Sequence, residues 1–286
     1  MVAMMVDVIR YEGLVMLKSK TPKWPASSNT YILPSDGEAL IVDPGCGHEE
    51  RAKLIESVLK KEGVKRSTVV LTHAHPDHMG AAGLMEENVL VHEIEVEYAR
   101  NPRLLSDPFN VDLVRKILNI DFDLMEYFMG LCPIYPVDAS QLPEKIKFGD
   151  YVIKPILTPG HSPGHVALYI KREKLLFSGD LLGEIMAWYS PGGGGVECYM
   201  ESLSKLEGLN VDKVFPSHGD VTSIERVEEE RRVLEERKRK ILNAIEVGVK
   251  SREELGRALF GEKWSSFTNL LILESHLVKL RKDGKL

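Results

Sequence analysis

The chain has 286 residues, of which 43% are hydrophobic and 28% are charged, and its formal net charge is −6. These proportions are typical of a soluble globular protein with one large domain or two unequal ones. No apolar run approaches the ~20 residues that a transmembrane helix needs, so no transmembrane helix is expected.

The N-terminus and the cysteines bear on location. Residues 1–7 contain no basic region followed by a long apolar stretch, so no signal peptide is expected. The three cysteines, Cys46, Cys132 and Cys198, are isolated and odd in number, and they form neither a zinc spacing nor a disulfide framework. We therefore expect reduced thiols in a cytoplasmic protein.

Strands and helices alternate in the first part of the chain. Hydrophobic periodicity and turn residues predict the order strand, strand, helix, strand, helix. The predicted segments are 29–33, 39–42, Glu49–Lys61, 68–71 and Asp77–Glu86. An α/β fold places functional residues at the ends of such strands.

Residues 93–140 interrupt this alternation with helical segments. Helices are predicted at Glu93–Arg100 and Val111–Met129. They are separated by the pairs Asn101-Pro102 and Asp107-Pro108. We interpret residues 93–140 as an insertion that forms a lid or a wall of a substrate pocket. The alternative is that its apolar stripe packs on the domain, or on a second subunit in a homodimer.

A glycine run follows later in the chain. Residues 188–195 read Trp-Tyr-Ser-Pro-Gly-Gly-Gly-Gly, and mobility is expected because glycine loses the most backbone entropy when it is ordered. The loop either contacts substrate or lies on the surface. Together, residues 93–140 and 185–197 are expected to shape the pocket.

Charged helices dominate after residue 222. Helices are predicted at 224–247, from Ser251 and at 268–280, and Ser251 and Glu254 match a capping box. A hairpin-like turn is predicted at 282–286. Because three helices and a short wing resemble a winged-helix module, we divide the chain into a catalytic domain, 1–222, and a separable C-terminal domain, 223–286.

The charge of the C-terminal part permits two interpretations. Residues 223–286 contain fifteen Lys and Arg against twelve Asp and Glu. Such an excess could meet phosphates of a nucleic acid. A solvated helix face, in which the acidic run Glu228–Glu230 lies among the basic residues, explains the same composition.

Residues that can bind metal ions recur along the chain, each of the later ones at the end of a hydrophobic run. They are His73, His75, Asp77, His78, His161, Asp180 and His218. Imidazole and carboxylate suit zinc, and also iron and manganese. Burying four such residues within positions 73–78 without a partner would be costly, so a metal site is the better explanation.

The spacing distributes these residues over two ions. His73 and His75 can converge on one ion, with His161 completing the set. The adjacent pair Asp77-His78 can point to a second ion, with His218 completing that set. Asp180 has two carboxylate oxygens and can bridge. Two ions ~3.5–4 Å apart share a water and lower its pKa toward ~7, which gives a hydroxide nucleophile at neutral pH.

The pattern His73-Ala-His75-Pro-Asp77-His78, with the three later ligands in order, resembles the metallo-β-lactamase superfamily over residues 5–222. The resemblance implies an α/β fold, an αββα sandwich of two mixed sheets with helices outside. It also implies a hydrolase with two zinc ions, with iron or manganese as alternatives, in which Asp77 and Asp180 take part in catalysis.

Two further residues resemble companions of the ligands. Asp43 lies in the turn Ile41-Val42-Asp43-Pro44-Gly45, and His165 follows His161 in the stretch Gly160–His165. The resemblance implies that both orient ligands rather than bind metal. The residues that bind substrate stay unidentified.

The substrate remains open between classes. The combination of the hydrolase pattern with this C-terminal part resembles the β-lactamase-like protein 2 family, which includes a single-strand RNA endonuclease. A glyoxalase II-like thioesterase has the same seven ligands, and a lactonase is open for the same reason, so a small ester or thioester is the alternative. A protein that only binds nucleic acid or acts as a scaffold would be expected to have lost ligands, and none is missing.

Overall fold

The computed structural model describes residues 6–20, 27–121, 123–184 and 187–286. Most of the N-terminal segment in which no signal peptide is expected, and residues 185–186 of the predicted pocket loop, lie outside these ranges. No helix in the described part of the chain is long and apolar enough to cross a membrane.

The first sheet of the described residues has seven strands, which lie side by side in chain order. Neighbours are antiparallel from β1 to β4 and parallel from β4 to β7. The strands are β1 (Val6–Tyr11), β2 (Leu14–Ser19), β3 (Thr30–Ser35), β4 (Glu38–Val42), β5 (Arg66–Val70), β6 (Asn88–Val91) and β7 (Ala139–Gln141).

The second sheet has five strands in the order β12-β11-β10-β9-β8, and only its β11–β12 pair is parallel. The strands are β8 (Ile146–Phe148), β9 (Tyr151–Leu157), β10 (Val166–Ile170), β11 (Leu175–Gly179) and β12 (Lys213–Pro216). Both sheets are therefore mixed, as the resemblance implied.

Alternating residues of the strands separate two cores. Along β4, Leu40 and Val42 pack with Phe177 and other residues of the second sheet, whereas Ile41 belongs to the cluster that contains Ile55 of helix α1 (Glu49–Lys61). This alternation follows from the two-residue period of a strand. One core thus lies between the sheets and the other between a sheet and its helices, which confirms the αββα sandwich.

The helices between β5 and β7 are shorter and more interrupted than the sequence predicts. Helix α2 (Pro76–Met79) precedes the insertion and continues as a 3₁₀ turn to Leu84. Within the insertion, α3 spans Val96–Arg100. The single helix predicted at 111–129 is wrong, because α4 (Val111–Leu118) ends where Asn119 takes a left-handed φ of 52°. Asparagine tolerates this conformation and commonly ends helices with it. Helix α5 then spans Leu124–Leu131.

The C-terminal helices are present, but the wing is not. After α6 (Gly195–Leu206) come α7 (Arg226–Glu246), α8 (Arg252–Phe260) and α9 (Phe267–Lys282). The capping box of Ser251 and Glu254 is confirmed. The turn predicted at 282–286 forms no strand, since α9 includes Lys282 and no strand occurs within residues 223–286.

The C-terminal helices share a core with the rest of the chain. Val227 and Leu234 of α7 and Leu271 of α9 are buried in the same cluster as residues of α1 and the first sheet. The boundary at residue 222 stays a prediction. The separability of the C-terminal part stays a prediction too, and removing residues 223–286 would expose apolar side chains of the shared core.

Two of the three cysteines are bonded, contrary to the expectation of reduced thiols. Cys46 and Cys132 form a disulfide, with Cα atoms 5.1 Å apart, although 86 residues separate them. The loop after β4 meets the segment after α5 here, since Gly47 N donates to Pro133 O at 2.8 Å. Two isolated positions so far apart give no spacing signal in the sequence.

A thiol assay tests this pairing. In protein that is unfolded without reductant, only the thiol of Cys198 is expected to react, because it is the free cysteine. After reduction, all three cysteines of the chain should react. Three reactive thiols before reduction would contradict the disulfide.

Candidate metal centre

The seven residues predicted as ligands meet at one edge of the sandwich. His73 and His75 follow β5, with His75 immediately before α2, which carries Asp77 and His78. The remaining three follow the ends of β9, β11 and β12 in the second sheet; they are His161, Asp180 and His218. The strand ends of both sheets therefore bring together residues that are up to 145 positions apart in the sequence.

Three histidines form the first group. His161 Nε2 lies 3.1 Å from His73 Nε2 and 3.0 Å from His75 Nδ1. Ligand atoms bound to one zinc at ~2.1 Å in a tetrahedron stand about 3.4 Å apart. The three nitrogens therefore converge as ligands of one ion would.

The second group consists of Asp77, His78 and His218. Asp77 Oδ2 is 3.6 Å from His78 Nε2 and 3.2 Å from His218 Nε2. Within the described residues, the Nε2 atoms of His78 and His218 are buried without a hydrogen bond. Unpaired buried nitrogens of this kind are costly, and a cation between them would remove the cost.

Asp180 faces both groups with different oxygens. Its Oδ2 is 3.1 Å from His161 Nε2, and its Oδ1 is 3.0 Å from His78 Nε2 and 3.4 Å from His218 Nε2. One carboxylate thus contacts three imidazoles from two groups. This arrangement fits a bridging ligand between two cations.

The electrostatics of the two groups differ. Burial, and then the neighbouring imidazoles, hold the pKa of His73 and of His75 well below the usual value, which keeps these rings in the neutral form that binds metal. Burial alone would lower the pKa of His78, but the carboxylates of Asp180 and Asp77 hold it well above its usual range. The second group therefore attracts positive charge.

Asp43 contacts this second group, and its predicted role as a companion of the ligands stays a prediction. It is fully buried and has a left-handed φ of 50°. Its Oδ1 accepts from Thr72 N at 2.8 Å, and its Oδ2 accepts from Thr72 Oγ1 at 2.7 Å and from Ser217 Oγ at 3.1 Å. His78 Nδ1 lies 2.9 Å from Oδ2. A carboxylate at Nδ1 leaves Nε2 of His78 free to bind metal.

His165 contacts the backbone of Asp180 and belongs to neither group of candidate ligands. Its Nε2 accepts from Asp180 N at 3.0 Å, and its Nδ1 lies 2.9 Å from Thr158 Oγ1. Burial lowers the pKa of His165 to about 3, so the ring is neutral. His165 is thus hydrogen-bonded to the backbone of Asp180, and its role in orienting that residue stays a prediction.

Aromatic rings of the insertion and the glycine-rich loop cover the first group. Phe109 stacks on His75 with ring centroids 4.5 Å apart. Trp188 meets His161 edge-on at 4.6 Å, and its carbonyl oxygen accepts from His161 Nδ1 at 3.1 Å. The two aromatic rings are 5.9 Å apart. The insertion therefore contacts the site, and these rings exclude water from one side of it.

The glycine run is packed rather than free. Gly160 N donates to Gly193 O at 2.7 Å, and Gly192 N donates to the Asn110 side chain at 2.6 Å. A Cβ on Gly193 would lie 2.6 Å from His161 O. Glycine is required here because two backbones approach closely beside a ligand, and the expected mobility does not follow.

Glu95 is a functional candidate that sequence reasoning missed. Its buried carboxylate accepts from Ala74 N at 3.2 Å, from Ser162 Oγ at 2.7 Å and from Gly164 N at 2.8 Å. It thereby joins the loop of His73 and His75 to the loop that begins at His161. A single glutamate in a charged segment carries no sequence signal for this role.

Replacing Glu95 with alanine is expected to lower the free energy of unfolding of the metal-free protein by about 2–5 kcal/mol, because three buried donors lose their acceptor. Chemical denaturation measures this change. The matched control is Glu97→Ala, whose side chain is 69% exposed and whose loss should cost no more than about 0.5 kcal/mol. Equal effects of the two variants would remove Glu95 from the site.

The chain is similar in sequence and in fold to known proteins. A family model described as the metallo-beta-lactamase superfamily matches residues 24–218. A Caenorhabditis elegans protein named beta-lactamase-like protein 2 homolog is 26% identical over 232 residues, 80% of this chain and 67% of that protein. An atrochrysone carboxyl ACP thioesterase of Aspergillus fumigatus is 25% identical over 239 residues, 81% of this chain but only 64% of the thioesterase.

A solved structure is similar over almost the whole chain. A metallo-beta-lactamase family protein from Thermus thermophilus superposes with a TM-score of 0.78 at 26% identity, and the match covers 96% of this chain and 95% of that one. Coverage this high includes most of residues 223–286. The placement of the C-terminal helices is therefore shared with that protein, as well as the sheets.

Proposed function

Because the chain belongs to the metallo-β-lactamase superfamily and carries a His/Asp cluster suited to metal, we propose that it is a hydrolase with two zinc ions that acts on a small ester or thioester. The observation that carries the proposal is Asp180, whose two oxygens face two separate groups of histidines. Zinc is proposed because imidazole and carboxylate ligands suit it.

The residues have distinct proposed roles. The first ion is assigned to His73, His75 and His161, and the second to Asp77, His78 and His218, with Asp180 bridging. When bound, the ions would supply a water with a pKa near ~7 and polarise the scissile carbonyl. Asp43 and the Trp188 carbonyl oxygen hold the imidazoles of His78 and His161 with Nε2 toward the ions. Phe109 and Trp188 keep the first group dry.

A small uncharged group suits the surroundings better than a polyanion. The rings of Phe109 and Trp188 adjoin the cluster and offer apolar contact to an acyl group. Relatives of this chain include proteins named as thioesterases. These observations support an ester or thioester substrate. The substrate screen described below identifies which bond is hydrolysed.

Single-stranded RNA is the less supported substrate. Many basic residues of the C-terminal helices are engaged by acidic ones, as in the pairs Lys238–Glu235, Lys240–Glu236 and Arg231–Glu207. Basic groups that are paired in this way contribute less to phosphate binding. The interpretation as a solvated helix face therefore accounts for the charges.

Metal analysis and a substrate screen test the proposal together. About two zinc ions per chain are expected, with hydrolysis of thioesters or esters that a chelator abolishes and zinc restores. The panel should include thioesters, lactones, phosphodiesters and single-stranded RNA, with Asp77→Ala as the inactive control. One iron per chain would favour dioxygenase chemistry, and no metal would favour a binding protein. Cleavage of RNA alone would replace the substrate class.

A further inference from the structure

Two described stretches, residues 181–184 and 187–189, adjoin two parts of the metal cluster. The first begins directly after Asp180, and in the second the carbonyl oxygen of Trp188 accepts from His161 Nδ1 at 3.1 Å. The first stretch therefore determines where the Asp180 carboxylate lies, and the second determines how the His161 ring is oriented. Whatever fixes the two stretches also fixes the geometry of the cluster.

Each stretch contains a non-glycine residue in the left-handed region. The φ angle is 64° at Leu182 and 46° at Ala187, and both residues are fully buried. Residues with a side chain adopt this conformation at a cost, and it persists only where surrounding contacts impose it. Because both residues are buried, these contacts come from the protein interior.

Helix α7 supplies a hydrogen bond to each of these residues. Glu230 Oε1 accepts from Leu182 N at 2.9 Å, and Arg237 Nη1 donates to Ala187 O at 2.6 Å. Seven residues separate Glu230 and Arg237, which is close to two helical turns, so both lie on one face of α7. From the same helix, Arg226 donates to Gly183 O at 3.0 Å.

Both side chains are themselves held in place. Glu230 is fully buried, and its Oε2 accepts from Tyr199 OH at 2.7 Å. Burial raises the pKa of the Glu230 carboxyl to about 7. Keeping a carboxyl group at this buried position therefore costs free energy that an apolar side chain would not cost. Arg237 lies 5.6 Å from the ring centroid of Tyr189. These contacts fix the side chains of Glu230 and Arg237, which in turn bind Leu182 N and Ala187 O.

We propose that α7 is a part of the metal centre, and that Glu230 and Arg237 are positioning residues for Asp180 and, through Trp188, for His161. Neither residue touches a proposed ligand or substrate. Their effect passes through the strained backbone at Leu182 and Ala187. The proposal rests on the dinuclear centre proposed above, and it makes the C-terminal helices integral to that centre.

A pair of substitutions at Glu230 separates the hydrogen bond from packing. Glu230→Met keeps the length of the side chain and removes both acceptors. Glu230→Gln keeps an acceptor for Leu182 N, and its amide group can donate to Tyr199 OH. Glu235→Met is the matched control, because Glu235 lies on the same helix with a side chain that is 55% exposed.

Two measurements on the full chain report on positioning without activity. Zinc affinity, measured by competition with a chelator, should fall about 10–100-fold in Glu230→Met, the range for lost support of ligands. It should stay within about threefold of wild type in Glu230→Gln and in the control. Hydrogen exchange of the metal-free protein should be faster at the Leu182 amide in Glu230→Met alone.

The outcomes distinguish this proposal from the proposed function. Wild-type zinc affinity in Glu230→Met would overturn the role of α7 and leave the dinuclear hydrolase standing. A wild-type protein that binds no zinc would overturn the proposed function itself, and with it this proposal. An equal loss in Glu230→Gln would overturn the hydrogen-bond account.

A second site keeps the test decisive if Glu230→Met does not fold. Arg237 is only half-buried, so Arg237→Met should be tolerated. It removes the hydrogen bond to Ala187 O, and we expect zinc affinity to fall about tenfold. Unchanged affinity in a folded Arg237→Met variant would count against the proposal.

Discussion

Replacing Asp180 with alanine is expected to reduce kcat by on the order of a thousandfold or more. Loss of a ligand that serves both ions removes several kcal/mol of stabilisation of the developing charge, and each ~1.4 kcal/mol corresponds to a tenfold change in rate. The geometric reason is that its Oδ2 lies 3.1 Å from His161 Nε2 while its Oδ1 lies 3.0 Å from His78 Nε2. Steady-state kinetics and the metal content of the variant measure the effect.

His165→Ala is the control that separates loss of the proposed bridging carboxylate from loss of a supporting hydrogen bond. His165 is also buried beside the cluster, but its Nε2 only accepts from the Asp180 backbone at 3.0 Å. Loss of such support typically costs ~10–100-fold. Asp180→Ala should therefore be worse by at least about tenfold. Equal defects in the two variants would contradict the bridging role of Asp180.

The cluster of candidate ligands could be predicted because its chemistry is compressed into short segments. Three histidines and an aspartate within residues 73–78 would be costly to bury unless they bind a cation, and the later ligands follow strand ends that hydrophobic runs reveal. The fold then followed from the resemblance. Asp43 was identified through the same resemblance, because the turn Asp43-Pro44-Gly45 matches an Asp-x-Gly turn of the family.

The supporting residues could not be predicted, because their contacts are to residues that are distant in the sequence. Glu230 belongs to the run Glu228–Glu230, which the sequence suggests is a solvated face, yet Glu230 is fully buried while Glu228 is exposed. Which residue of a charged run is buried depends on the element that packs against it. The same holds for Glu95, and for Cys46 and Cys132, whose partners are distant in sequence.

The C-terminal helices show the limit of periodicity. Their bounds were predicted to within a few residues, and the capping box at Ser251 was confirmed. The predicted wing was wrong because a turn and three charged residues do not specify a strand pair. Nor does periodicity reveal where a helix docks. The hydrogen bonds from α7 to Leu182 and Ala187 connect this part of the chain to the site.

Replacing Asp43 with asparagine is expected to remove one metal ion while the fold is kept. The amide oxygen of the new side chain can still accept from Thr72 N, but the amide nitrogen would replace Oδ2, which lies 2.9 Å from His78 Nδ1. An amide donates to Nδ1 and so moves the proton of His78 to Nε2. A protonated Nε2 cannot bind metal, so the ion assigned to Asp77, His78 and His218 should be lost.

Metal content and thermal unfolding distinguish this effect from general damage. We expect Asp43→Asn to bind about one zinc per chain. Its metal-free form should unfold less easily than that of Asp43→Ala, because Thr72 N keeps its acceptor and the hydroxyls of Thr72 and Ser217 can turn to accept from the amide. Asp43→Ala should also unfold more easily, because Thr72 N, Thr72 Oγ1 and Ser217 Oγ lose their acceptor, at about 1–3 kcal/mol for each buried group. Ser217→Ala, which removes one donor only, should keep both ions. Two ions in Asp43→Asn would show that the proton on His78 is not controlled by Asp43.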